Sequence, residues 1–104
     1  MERTILENSI ACPFGMPIAL RQRDLEFYFG MSESTSKRIF RAMEKELDRP
    51  DSKLTDKAYI RAGKLVYFHS IAVYWYLQNK DQLEDTTARA RVKEFNVRDY
   101  KDIF

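Results

Sequence analysis

The 104-residue chain is long enough to bury one small hydrophobic core and too short for two independent domains. Hydrophobic residues make up 44% of it, and its formal net charge is only +2, which excludes a strongly basic or acidic chain. No apolar run approaches the roughly 20 residues that a membrane-spanning helix needs, and residues 1–11 lack the basic-then-apolar order of a signal peptide. We therefore expect a cytoplasmic protein.

Residue types that hold metals or perform nucleophilic catalysis are scarce. Cys12 is the only cysteine and His69 the only histidine, which excludes an intrachain disulfide and the usual zinc site of Cys and His. The three glycines are far apart, so the sequence has no glycine-rich phosphate loop. We predict no enzyme, no catalytic residue, no metal and no cofactor, and we interpret His69 as a strand-end or helix-capping residue.

Residues 1–17 are predicted to form an N-terminal arm. Pro13 and Pro17 interrupt regular structure there, because each removes a backbone donor and restricts the residue before it. Residues 18–20 are predicted to be an extended lead-in to a first short helix over about residues 21–29. The apolar stripe of that helix consists of Leu25, Tyr28 and Phe29.

A second helix is predicted over residues 33–48, after a tight turn at Gly30. Ser32 is a favourable N-cap, and Pro50 ends the helix near Asp48. At about 100° per residue, one arc is mainly apolar and contains Ser36, Ile39, Phe40, Met43 and Leu47. The opposite arc is polar and mostly basic and contains Ser34, Lys37, Arg38, Arg41 and Lys45. We expect one face to pack and the other to display positive charge, although a solvated surface helix can show the same pattern.

Two short helices joined by a turn with a glycine fit a helix-turn-helix, in which the second helix is the recognition helix. The distribution of charge agrees with this interpretation. Residues 21–64 hold eleven Lys and Arg against eight Asp and Glu, whereas residues 80–104 hold six of each. The excess of cations therefore lies in the segment that would present a helix to DNA.

A β-hairpin is predicted over residues 58–68. Two runs rich in β-branched and aromatic residues, Ala-Tyr-Ile-Arg and Lys-Leu-Val-Tyr-Phe, are separated by Ala-Gly. Arg61 and Lys64 flank the turn, where a basic tip could act as a wing that reaches a minor groove or a phosphate. Lys and Arg at a hairpin tip also serve solubility alone.

A third helix is predicted over residues 70–79, with Ser70 as its cap and apolar residues around most of its circumference. Residues 74–76, Tyr-Trp-Tyr, would suit a base-stacking platform for single-stranded nucleic acid. On a helix the three rings diverge by about 100° each, so we expect them to pack in the core.

The C-terminal helical extension, residues 80–104, is predicted to contain a fourth helix over residues 84–95. A set of apolar residues follows in this otherwise charged tail: Val97, Tyr100, Ile103 and Phe104. Since exposed apolar patches are usually covered, we expect this set either to dock on the third helix, in the same chain or in a twin subunit, or to bind a partner protein.

The order of elements over residues 18–79 resembles a winged helix-turn-helix of the excisionase and MerR-like group. The first matching stretch is Asp-Leu-Glu-Phe-Tyr-Phe-Gly-Met-Ser-Glu-Ser-Thr-Ser-Lys-Arg-Ile-Phe, residues 24–40. The second is Tyr-Ile-Arg-Ala-Gly-Lys-Leu-Val-Tyr-Phe-His-Ser-Ile-Ala-Val-Tyr-Trp-Tyr-Leu, residues 59–77, similar to the wing and following helix of that group. The chain departs from the pattern at Ser36, where such helices often have an aliphatic residue, and in its two terminal extensions.

The resemblance implies a mainly α protein with a small β-hairpin: a winged helix-turn-helix with an N-terminal arm and a C-terminal helical extension. It also implies a DNA-architectural or regulatory protein of a phage or other mobile element, either a recombination directionality factor that contacts an integrase or a transcriptional regulator. Residue by residue, it places Ser34, Lys37, Arg38 and Arg41 toward the major groove, and Arg61 and Lys64 on the wing.

Our leading hypothesis is sequence-specific binding of double-stranded DNA by a dimer or a cooperative array. Arg38 or Arg41 would pair with guanine. Phosphate contacts are assigned to Lys37, Lys45, Arg21 and Arg23. The alternative is a protein-interaction module on a helix-turn-helix scaffold, in which the tail residues bind a recombinase, a replication protein or a host protein.

Overall fold

The computed structural model describes residues 19–100, so the predicted arm and the residues Ile103 and Phe104 lie outside the described part of the chain. The first three elements in chain order are β1 (Ala19–Leu20), α1 (Gln22–Phe29) and α2 (Glu33–Leu47). They are followed by β2 (Tyr59–Ala62), β3 (Leu65–His69), α3 (Ser70–Glu84), α4 (Thr86–Arg89) and a 3-10 helix (Val97–Tyr100). The fold is mainly helical with a small antiparallel sheet, and none of the helices between residues 19 and 100 is long and apolar enough to cross a membrane.

The tight turn between α1 and α2 forms where the sequence predicts it. Gly30 ends α1 in the left-handed region at φ 66°, which a glycine adopts at little cost. The Ser32 hydroxyl oxygen then accepts a hydrogen bond from the Thr35 amide at 3.2 Å and caps α2, while Glu33 lies at the positive end of the helix dipole. Both predicted helices are confirmed, to within about one residue at each end.

The sheet has three strands in the order β1-β3-β2, one more than the predicted hairpin. The hairpin itself is confirmed, with Ala62 paired to Leu65 around a two-residue turn. Gly63 occupies the left-handed region in that turn, at φ 64°. The third strand is the predicted extended lead-in, in which Leu20 pairs with Phe68.

The inner face of α2 packs against the sheet and α1. Ile39, Phe40 and Met43 are at most 4% exposed, and the Phe40 ring meets that of Phe68 edge to face at 5.2 Å. Ser36 is completely buried, where an aliphatic residue is usual in the resembled group. Its hydroxyl donates to the Glu33 carbonyl at 2.8 Å, so the buried polar group is hydrogen-bonded and costs little.

The third helix is longer than predicted and has a different cap. It continues to Glu84, across the boundary placed between residues 79 and 80. Because β3 runs into α3 without a loop, His69 is the last residue before the helix, and its Nδ1 accepts a hydrogen bond from the Ile71 amide at 3.0 Å. The capping role predicted for His69 is confirmed, whereas Ser70 as cap was wrong. The predicted core position of Trp75 is also confirmed.

The predicted fourth helix over residues 84–95 was wrong. Only α4 forms there, capped by Asp85, and the chain after Arg89 is irregular until the 3-10 helix. Tertiary hydrogen bonds replace the helical ones in this stretch: the Phe95 amide donates to the Lys53 carbonyl at 2.8 Å, and the Thr55 hydroxyl donates to the Phe95 carbonyl at 3.1 Å.

Val97 and Tyr100 dock on their own chain. Both are buried, and the Tyr100 ring packs edge to face on Tyr74 at 5.9 Å, while its hydroxyl donates to Gln78 Oε1 at 3.0 Å. Burial raises the pKa of Tyr100 to about 12. The assignment of these two residues to a partner protein is therefore corrected: they belong to the core.

Replacement of Tyr100 by alanine tests this docking. We expect Tyr100→Ala to lower the free energy of unfolding by about 3 kcal/mol, because it removes a buried ring and its hydrogen bond. Phe27→Ala is the matched control, since Phe27 is 78% exposed, and it should change stability by less than about 0.5 kcal/mol. Urea denaturation followed by the fluorescence of Trp75 measures both; equal stabilities of the two variants would contradict docking.

Candidate nucleic-acid interface

The polar arc of α2 faces solvent along its whole length. All five of its residues, which we call the outer face, are exposed: Ser34, Lys37, Arg38, Arg41 and Lys45. The opposite arc supplies the buried residues described above, so packing of the inner face fixes which side chains point outward. The two-faced helix predicted from the sequence is confirmed, except that Leu47 is only half-buried.

The cations of the outer face are mostly unneutralised. Lys37 pairs with Glu33 one turn earlier, at 3.5 Å, and both side chains are at least half exposed. Within residues 19–100, the side chains of Arg38, Arg41 and Lys45 form no hydrogen bond or ion pair. Exposed pairs such as that of Lys37 contribute little energy, so all four cations are available to an anionic ligand.

The hairpin lies beside the C-terminal end of α2. Arg61 Nη2 on β2 is 3.3 Å from Asp48 Oδ1, the residue that follows the last turn of α2, and both side chains are exposed. The same guanidinium lies over the Tyr59 ring at 5.8 Å. Lys64 is exposed in the hairpin turn. The structure therefore places Arg61 beside the C-terminal end of α2, with Lys64 exposed in the turn of the same hairpin.

Arg21 does not lie where the predicted phosphate contact requires, because its guanidinium binds within the fold. Its Nη1 donates to the Val66 carbonyl on β3 at 2.7 Å. Its guanidinium also lies over the rings of Phe40, at 5.2 Å, and Tyr67, at 5.6 Å. Arg21 thus joins α1, α2 and the hairpin from within the fold. Arg23, two residues later, is exposed as expected.

A buried ion pair behind α2 was not predicted. Arg89 donates to both carboxylate oxygens of Glu46 at 2.6 Å, and each side chain is at most 6% exposed. The only sequence signal was that Glu46 falls beside Ile39 on the apolar arc of the helix wheel. The partner is 43 residues away along the chain, so no local pattern could identify it.

Hydrogen bonds in this cluster shift the pKa values of Asp51 and Arg89. Hydrogen bonds from Arg49 and then Arg89 hold the pKa of the Asp51 carboxyl well below its usual range. The hydrogen bonds to Glu46 are the main reason that the pKa of Arg89 is raised. Both shifts favour the charged forms, the carboxylate of Asp51 and the guanidinium of Arg89.

Away from α2, the described residues line a cavity but form no metal-ligand cluster. An open cavity of about 560 Å³ lies between residues 55–57 and residues 93–98, with Lys57 and Phe95 in its lining. In the described part of the chain, no group of three or more His, Cys, Asp or Glu could hold a metal ion.

Comparison with known proteins gives no match: no family model, curated sequence or solved structure is significantly similar to this chain. The resemblance to the excisionase and MerR-like group therefore stays a prediction made from the sequence. The function is argued below from the geometry of the outer face and the hairpin.

Arg21 and Arg23 form a natural pair of test sites. We expect Arg21→Gln to lower the free energy of unfolding by about 2 kcal/mol, through loss of a charge-assisted hydrogen bond and two cation–π contacts. Arg23→Gln should change it by less than about 0.5 kcal/mol, since the side chain is exposed. Thermal and urea unfolding measure both; an equally stable Arg21→Gln variant would show that its bonds do not support the fold.

Proposed function

We propose that this chain binds double-stranded DNA as a winged helix-turn-helix, with α2 in the major groove and the hairpin on the adjacent minor groove or backbone. One observation carries the proposal: four cations lie on the solvent face of one helix, and three of them lack a partner among the described residues. An α-helix fits a major groove about 12 Å wide, and its outward side chains then reach base edges and phosphates.

Arrangement of charge distinguishes this surface from an ordinary solvated helix. A helix that carries charge for solubility commonly pairs Lys or Arg with a carboxylate three or four residues away. On α2 only Lys37 has such a partner, while the remaining carboxylates Glu44 and Glu46 are half-buried and buried. The positive field of the outer face is therefore directed at solvent, where it attracts a polyanion.

Roles within the interface follow from side-chain chemistry. The planar guanidinium of Arg38 or Arg41 can donate two hydrogen bonds to O6 and N7 of a guanine, which specifies sequence. Lys37, Lys45 and the hairpin cations Arg61 and Lys64 can neutralise phosphates, which contributes affinity without sequence preference. Ser34 can donate to either kind of acceptor. We assign no phosphate contact to Arg21, because its guanidinium is engaged with Val66, Phe40 and Tyr67.

The biological role is proposed from the sequence resemblance alone: a recombination directionality factor, with an integrase as its protein partner, or a transcriptional regulator of a mobile element. A single module of this size has a small DNA interface, so we propose that it acts as a dimer or as a cooperative array on repeated sites.

Selection from a pool of random duplexes of about two helical turns identifies a preferred site and tests the proposal. Arg38→Ala/Arg41→Ala should then weaken binding to the selected duplex by about 2 kcal/mol or more, roughly 30-fold, and reduce the preference over a scrambled duplex. Lys80→Ala/Arg91→Ala removes the same charge from α3 and the extension, and it should have little effect. Failure of the wild-type chain to bind any duplex at low ionic strength would refute the proposal, as would equal losses in the two double variants.

Lys64→Ala separates a backbone contact from a base contact. We expect it to weaken binding to selected and scrambled duplexes alike and to reduce the slope of log K against log salt by about 0.9, the value of one lost phosphate contact. Titrations by fluorescence anisotropy at several salt concentrations measure the slope. An unchanged slope would place the hairpin away from the duplex.

A further inference from the structure

The guanidinium of Arg89 is fully satisfied within the fold. Nε donates to Asp51 Oδ2 at 3.1 Å, Nη1 to Glu46 Oε1 at 2.6 Å and to the Leu83 carbonyl at 3.4 Å. Nη2 donates to Glu46 Oε2 at 2.6 Å and to the Asp51 carbonyl at 3.0 Å. These contacts use all five N–H donors of the side chain, which a lysine could not reproduce.

The acceptors lie where α2 leads into the hairpin. Glu46 is in the last turn of α2, and Asp51 is in the connecting segment, residues 48–58, between α2 and β2. Glu46 Oε2 also accepts a hydrogen bond from the Lys53 amide at 2.7 Å. The connecting segment contains no helix or strand to fix its path. The cluster and the bonds of Phe95 and Thr55 hold its first part, while the buried side chains of Leu54 and Ala58 hold it to the core.

A contribution to stability does not by itself explain such a cluster. Desolvation of two charges is costly, and replacement of a buried ion pair by apolar residues of similar volume is often neutral or stabilising. What the cluster does fix is the position of the connecting segment relative to α2. A protein that contacts one groove with a helix and the next with a hairpin must hold the two elements at a fixed separation, because the distance between adjacent grooves of a duplex is fixed. The connecting segment leads from α2 into the hairpin, so its position affects that separation.

We propose that Arg89 is a positioning residue for DNA binding, which fixes the connecting segment through Glu46 and Asp51 so that α2 and the hairpin contact one duplex together. The inference rests on the proposed function and gives the C-terminal extension a part in it. Arg89 is buried behind α2 and contacts no DNA itself. Its loss should therefore remove the contacts of the hairpin while leaving those of the outer face.

The first test compares Arg89→Lys with Val92→Ala, a control that truncates another buried residue of the extension. Arg89→Lys keeps the positive charge but removes the planar guanidinium and its five N–H donors. At a temperature where both variants are folded by circular dichroism, Arg89→Lys should weaken binding to the selected duplex by about tenfold and reduce the salt slope by about 2, the value of two phosphate contacts at Arg61 and Lys64. Val92→Ala should keep the wild-type slope, because the apolar Val92 side chain forms no hydrogen bond to Glu46 or Asp51.

The second variant, Glu46→Leu/Arg89→Met, addresses the case in which Arg89→Lys does not fold. Apolar replacement of both partners should preserve the fold, yet it removes the bonds to Asp51 and Lys53, so the salt slope should fall as in Arg89→Lys. A folded double variant with the wild-type affinity and slope would overturn the inference. If the wild-type chain binds no duplex, the proposed function fails as well; if it binds and only the slope test fails, DNA binding stands without a role for Arg89.

Discussion

Burial of one face of α2 is the constraint on which the rest of the structure depends. Ile39, Phe40 and Met43 are each at most 4% exposed, and each buried side chain of this size contributes about 1.5–3 kcal/mol. Rotation of the helix by one residue, about 100°, would exchange these side chains for cations that are costly to bury. The hydrophobic effect therefore holds Arg38 and Arg41 in solvent, and the candidate interface is a consequence of the core.

Three arginines of this chain show how surroundings decide the role of a residue type. Arg61 forms an exposed ion pair with Asp48, which is weak and open to competition by phosphate. Arg21 is half-buried, and its hydrogen bond and ring contacts join the hairpin to α2. Arg89 is buried with all its donors satisfied. Only residues of the first kind can serve as ligand contacts; the others determine where those contacts lie.

The weak net charge of the chain does not conflict with a polyanionic ligand. At physiological ionic strength, charges on a surface are screened beyond about 8 Å, so the local arrangement matters more than the sum over the chain. The outer face carries four cations, and the exposed carboxylates Glu33 and Asp48 lie near its two ends. Since one architecture can host many functions, the proposal stands on this surface rather than on the fold.

The sequence by itself determined α1, α2, the hairpin and the two faces of α2, because these depend on caps, glycine turns and periodicities that act within a few residues. It also indicated the capping role of His69 and the core position of Trp75. Only the tertiary structure decided the third strand, the internal roles of Arg21 and Arg89, and the irregular path of residues 90–96. Those features depend on hydrogen bonds between residues some 40 positions or more apart, such as Arg89 to Glu46 and Arg21 to Val66. Patterns of neighbouring residues cannot predict such bonds, because the two partners are far apart in the sequence.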